Sequence, residues 1–293
     1  SKALRTISLW QGNLTASSAV VKDYMSSLSD AVLAFSERHL PKTNTSQLTT
    51  YFNRLDKQVV SSPARATDRG GTRGGTGIAV DKHVAVTRLD LSNTTMLRPF
   101  GLDWSSILLD IRGARLLIIS TYFTDKIGES GEILVKMQQI ADLIACIRVP
   151  FIILGDFNMP PQAMKEAAST KWIRGVVITT DLDITCTTRG GSHIDYAIAS
   201  PAAAGLVQEY KQDEGATLRP HVALRMTLTT CASHLMGWIV LQPKVLPPGP
   251  TLEWSVAEQM VQHRFAATPA TRYKLDDKLS GLHSMEQRNA MES

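Results

Sequence analysis

Apolar runs of four to eight residues, broken by single polar positions and by Gly, Pro, Asn or Asp, recur along the first 230 positions of this 293-residue chain. That pattern marks strands that are half or wholly buried. "LRTISLWQGNL" reads as a strand, and "SSAVVKDYMSSLSD" as a helix with a Ser at its start and apolar residues at helical spacing. "AVLAFSERHLP" reads as a second strand and "GTGIAVDKHVAVTRL" as a pair of short strands. "ILLDIRGARLLIISTYF" is a hairpin turning at Arg112 and Gly113, and "EILVKMQQIADLIACI" is a long amphipathic helix. A strand over 151–155, a helix near 161–169, strands near 175–179 and 194–199, a helical stretch near 201–204 and a last strand "HVALRMTL" complete the series. Strands joined partly by hairpins and partly by helices predict an α/β fold of mixed sheets covered by helices.

The texture changes after residue 230. "QPKVLPPGP" has four prolines in nine residues and predicts an extended linker. "LEWSVAEQMVQHRF" then places Leu252, Val256 and Met260 along one helical row and Ala257, Val261 and Phe265 along the next. Such a helix either covers its own domain or enters a partner's groove, so residues 243–293 are a candidate protein-binding segment. The expected division is a domain over 1–230 and an extension over 231–293.

Composition narrows the class. With 43% hydrophobic and 20% charged residues the chain can bury a sizeable core, and no apolar run approaches the roughly 18–20 residues that cross a bilayer. Three cysteines, Cys146, Cys186 and Cys231, lack metal spacing and predict neither a disulfide framework nor a zinc site; the expectation is an intracellular, reducing compartment, with an organelle open through a removed targeting peptide. A net charge of +4 suits a polyanionic partner and equally suits a solvated basic surface. "RATDRGGTRGG" sets Arg65, Arg69 and Arg73 on a glycine-rich segment, where cations could meet phosphates or where a hairpin simply turns.

The chemistry gathers where strands end. "FIILGDFNMPP" closes on Asp156 and Asn158, which point to one side and could share a ligand if strand geometry persists that far. Asn13, Glu37, Tyr122, Asp195 and His221 likewise flank apolar runs. Singly, a helix cap explains Asn13 and a turn carboxylate explains Asp195. Together they are an inventory for metal-assisted phosphodiester hydrolysis: oxygen ligands for a hard cation, a carboxylate to activate water, a histidine with a carboxylate partner, and amide and phenol donors.

These stretches resemble, in order, the motifs of the endonuclease/exonuclease/phosphatase superfamily, and within it the apurinic-like endonuclease domains of non-LTR retrotransposons. "LWQGNLTAS", "AVLAFSERHLP", "RGGTGIAV", "IISTYF", "ILGDFNMPP", "SHIDYAIAS" and "RPHVAL" carry the resemblance, from about residue 4 to residue 230. It implies a four-layered α/β sandwich, two packed mixed sheets flanked by helices, here with a C-terminal extension. It also implies Mg²⁺, or Mn²⁺ in its place, at Glu37 with Asn13 beside it. Asp156 would deprotonate the attacking water, Asn158 and Tyr122 would position the phosphate, and His221, held by Asp195, would donate to it. The implied activity is DNA nicking of retroelement type, in the nucleus. One position departs from the pattern: Pro220 stands where the family carries Asp before the final His, which removes an acidic metal ligand but spares the pairing of Asp195 with His221. The alternative expectation is therefore a non-catalytic subunit that keeps the fold inside a larger assembly.

Overall fold

A computed structural model of the chain describes residues 6–14, 18–67, 70–89, 103–111, 114–124 and 131–230. The proposed linker, helix and tail over 231–293 lie outside the described residues, as do Arg69, Arg112, Gly113 and Cys231. Strand β1 (Thr6–Asn13) leads to α1 (Ala19–Ser27), β2 (Val32–Ser36), α2 (Thr45–Arg54) and β3 (Lys57–Ser62). A small ribbon, β4 (Arg65–Ala66) and β5 (Thr72–Arg73), precedes β6 (Thr76–Asp81) and β7 (Val86–Arg88). Then come β8 (Trp104–Ile111), β9 (Ala114–Tyr122), α3 (Glu132–Ile147), β10 (Phe151–Asp156), α4 (Pro161–Glu166), α5 (Ala168–Trp172), β11 (Val176–Ile178) and β12 (Asp195–Ala199). The series ends with α6 (Pro201–Ala204), β13 (Val207–Gln212) and β14 (Leu224–Thr229).

Two six-stranded sheets result, ordered β13-β14-β1-β2-β6-β3 and β11-β12-β10-β9-β8-β7. Each is mixed, through the parallel pairs β1 with β2 and β9 with β10. Strand alternation explains how they stack. Leu9, Val32, Ala34, Ile78, Met226 and Leu228 of the first sheet pack against Ile118, Ile152, Leu154, Ala197 and Ala199 of the second. The intervening residues face outward: Trp10, Leu33, Phe35 and Ala79 meet α1 and α2, while Leu117, Ile119, Phe151, Ile153, Tyr196 and Ile198 meet α3 and α4. Helices, sheet, sheet and helices are the four layers that the family resemblance implied.

Local sequence accounts for the helix ends. Ser18 caps α1 by accepting the Val21 amide at 3.2 Å. Helix α3 buries Ile133, Met137 and Ile140 at helical spacing and stops at Arg148, whose left-handed φ of 54° returns its N–H to the Ile144 carbonyl. The predicted helix over 161–169 is two short helices, because Ala167 adopts an extended conformation between them. The pair of strands predicted over 75–89 does not pair with itself: β6 lies in the first sheet and β7 in the second. Helix α2 and strands β3 and β13 were not predicted. Helix α2 offers only Leu48 and Phe52 to the core along a polar sequence, and β13 is an edge strand whose residues are exposed or half-buried.

Candidate active site

Register brings the strand ends together. Asp156 pairs with Tyr122 of β9 on one side and with Asp195 of β12 on the other, so the three form one row across the second sheet. Each shares strand parity with residues of the intersheet core, namely Ile118, Leu154 and Ala197, so the row faces the first sheet. From that sheet Asn13 ends β1 on the same face as Leu9. Glu37 leaves β2 with a left-handed φ of 54°, an unusual conformation for a residue with a side chain. His221 arrives on the segment before β14, bridged by backbone to Cys186.

The side chains meet closely. Asn13 Nδ2 donates to Glu37 Oε2 at 2.8 Å and to Asp156 Oδ2 at 2.9 Å, and lies 3.2 Å from His221 Nε2. On its other side His221 Nδ1 is 2.8 Å from Asp195 Oδ2, and its Nε2 is 3.9 Å from Asp156 Oδ2. Asp156, Asp195, Asn13 and His221 are all buried. Asn158 reaches the cleft differently from the sequence expectation. The strand does not persist: Phe157 turns into an aromatic stack, and Asn158 adopts a φ of 47°. Its amide N–H donates to Asp156 Oδ1 at 3.0 Å and its side chain donates to the Phe123 carbonyl at 2.7 Å. A turn, not strand alternation, sets Asp156 and Asn158 side by side.

Electrostatics follow from that crowding. Burial raises Asp156 well above the ordinary carboxylate range, and the Asp195 charge adds to this while His221 opposes it. Burial also raises Asp195, against the hydrogen bond from His221. For His221, burial alone would lower the pKa, but the hydrogen bond and charge of Asp195, with the charge of Asp156, push it up to about 9. That shift favours the imidazolium at neutral pH. Because its pKa is raised above the unfolded 6.5, its contribution to stability is complete below that pH and is lost as pH rises through about 9. An NMR titration of the His221 ring should show a midpoint near 9, and Asp195→Asn should move it to lower pH. An unmoved midpoint would mean that the carboxylate does not hold the proton. Burial, followed by the nearby Glu37 charge, raises the Tyr122 phenol, which stays a donor.

Glu37, Tyr122, Asp156, Asn158 and His221 line a cleft of about 520 Å³, together with Cys186, Thr188, Ser192 and Pro220. One ligand atom each of Glu37, Asp156 and His221 lies within 4.8 Å of the others. The donor chemistry fits a hard divalent cation: two carboxylates, one buried and raised in pKa, face each other through a shared amide. Asn13 presents its amide nitrogen to both carboxylates, so the amide must turn over to offer oxygen to a cation. Pro220 lines the cleft with a ring and brings no side-chain oxygen to it.

The glycine-rich stretch is the β4–β5 ribbon, with Arg65 opposite Arg73. Arg65 spends its guanidinium on Asp103 and Glu132, beside Lys136, instead of presenting it to solvent phosphate. Arg73 is half-buried. Sequence reasoning overlooked Thr185, whose hydroxyl accepts the backbone N–H groups of Ile194 and Asp195 at 3.0 and 2.9 Å and fixes the start of β12. A lone Thr in the polar run before that strand gives no signal of this role. Among the described residues no helix is long and apolar enough to cross a membrane.

No protein-family model matches the chain, and no curated protein sequence does. Solved structures do. The endonuclease domain of TRAS1, a telomere-specific non-LTR retrotransposon, superposes with a TM-score of 0.57 at 15% identity over 77% of this chain and 99% of that one. The AP endonuclease LMAP from Leishmania major matches with a TM-score of 0.57 at 13% identity, over 77% of this chain and 88% of that one. An endonuclease/exonuclease/phosphatase family protein from Bacteroides thetaiotaomicron gives 0.51 at 16% identity, over 76% and 97%. With two packed mixed sheets, helices outside them and the polar row at one end, the chain has the endonuclease/exonuclease/phosphatase fold.

Proposed function

We propose that this chain is a divalent-cation-dependent phosphodiester hydrolase that nicks DNA, of the retroelement endonuclease type. The observation that carries the reading is the convergence of Glu37, Asn13, Asp156 and His221 within 2.8–3.9 Å of their neighbours at the base of an open cleft, with Asp195 behind the histidine. Glu37, with Asn13 beside it, would hold Mg²⁺ or Mn²⁺, which when bound supplies positive charge against the phosphate and the departing oxygen. Asp156 takes a proton from water as the water oxygen attacks phosphorus and the bond from phosphorus to the leaving oxygen breaks. Its raised pKa brings it nearer to the working pH of a general base. His221 donates its Nε2 proton as a hydrogen bond to a non-bridging phosphate oxygen, and Asn158 and Tyr122 orient the group. Arg73 and Arg69 are the proposed contacts of the ribbon with flanking phosphates, since Arg65 is committed elsewhere. A nuclear location accompanies this reading.

Conversion of supercoiled plasmid to open circles, dependent on Mg²⁺ or Mn²⁺ and lost in Glu37→Ala, is the expected result. Pro220 favours a second reading, a fold that no longer hydrolyses and joins a larger assembly through residues 243–293. Intact plasmid from folded protein with either cation would exclude the first reading, and a monodisperse monomer that nicks normally would count against the second.

A further inference from the structure

The geometry points to Gln11 and Tyr210 as positioning residues, a polar relay between the two sheets that sets how far Asn13 stands from Asp156 and Asp195. Gln11 lies two residues before Asn13 on the same face of β1 and is 5% exposed. Its Nε2 crosses to the second sheet and donates to the Gly155 carbonyl at 3.0 Å and the Tyr196 carbonyl at 3.3 Å. Gly155 and Tyr196 are directly opposed residues of β10 and β12, and the next opposed pair is Asp156 and Asp195. One amide therefore grips the rung immediately below the two carboxylates from the strand that carries Asn13. The Tyr210 hydroxyl, from β13, donates to Gln11 Oε1 at 2.6 Å and fixes which end of the amide faces the carbonyls. Burial, followed by the Asp195 charge, raises the Tyr210 phenol far above its ordinary value, so it stays a donor.

A buried glutamine on the face of β1 that carries Leu9 into the intersheet core is a costly choice where apolar residues could fill the space. An apolar residue fixes less well how far one sheet slides past the other, because hydrogen bonds are directional and the hydrophobic effect is not. Around this point the slide would change the 2.9 Å contact of Asn13 with Asp156, which belongs to the reacting groups. The catalytic half of the inference rests on the hydrolase reading; the geometric half does not.

Gln11→Met keeps the volume and removes the relay, and Tyr210→Phe removes only its anchor. The control is Val59→Ala, a buried change on the helix-covered face of the first sheet, at β3. Gln11→Met is expected to lower kcat by roughly 10- to 100-fold with little change in KM, the effect of misplacing reacting groups that still bind substrate. It should also shift the downfield proton resonance of His221 Nδ1–H, which lies on the Asp195 hydrogen bond. Tyr210→Phe should move both readouts the same way by a smaller amount, and Val59→Ala should move neither. A His221 resonance unchanged in both Gln11→Met and Tyr210→Phe overturns the inference. So does a change that Val59→Ala reproduces at equal loss of melting temperature. The resonance is read without substrate, so a wild-type protein that hydrolyses nothing would refute the hydrolase reading and leave the relay testable.

Discussion

Asp156→Asn should lower phosphodiester hydrolysis by roughly 10²- to 10⁴-fold, the usual loss when a positioned general base is removed. The amide keeps the shape of the side chain, so circular dichroism and the melting profile should still show a folded protein. The substitution removes the base with little change of shape: one oxygen able to take a proton becomes a nitrogen that cannot. Asn13 Nδ2 and the Asn158 amide now both donate to the carboxylate, and at least one of those bonds must rearrange. The pH profile of the wild type supplies a second check. Burial and the Asp195 charge raise Asp156, so the rising limb of hydrolysis against pH should lie above the ordinary carboxylate range of about 4. Wild-type rates in Asp156→Asn would remove Asp156 from the proton-accepting role and direct attention to Glu37.

The second large effect is on stability. Phe157→Ala should cost about 3–5 kcal/mol, measured by urea unfolding, with a fall in melting temperature of roughly 10 °C. Phe157 is fully buried, stacked on Tyr196 with ring centroids 4.4 Å apart and edge-on to Phe123 at 5.2 Å. Alanine leaves a cavity that neighbours on three separate elements cannot all close at once. The loss should extend to the site, because Phe157 links Asp156 to Asn158 and its amide bonds the Ile194 carbonyl beside Asp195. A loss below about 1 kcal/mol would show that the cluster repacks freely. Phe157→Leu, which fills part of the cavity but loses both ring contacts, should cost less than Phe157→Ala.

Particular elements show how far the sequence could be read. Helix α3 was legible because its apolar residues repeat at helical spacing over 16 positions, and the β8–β9 hairpin because two apolar runs flank Arg112 and Gly113 in the sequence. Helix α2 was not, since its stability comes from burying Leu48 and Phe52 against the first sheet and not from its Thr- and Ser-rich composition. Strand β13 was hidden because an edge strand with solvent beside it has no need of apolar residues. Arg65 shows the limit for charged groups. The sequence marks it as a cation on a glycine-rich stretch, while Asp103 and Glu132, distant along the chain, decide what that cation does.

By itself, the sequence determined the strand and helix periods, the polar residues at the strand ends, and the order of motifs that resembles the endonuclease/exonuclease/phosphatase superfamily. These are local properties, written in side-chain alternation and in the residue types that follow each apolar run. The tertiary structure decided that Asn13 meets Asp156 across 143 positions and His221 across 208, and that Gln11 grips the rung beneath them. It also decided which charges Asp156 and His221 feel, and hence their proton affinities. Register between strands and the burial of a charge depend on what lies opposite in space, and neighbours along the chain do not specify that.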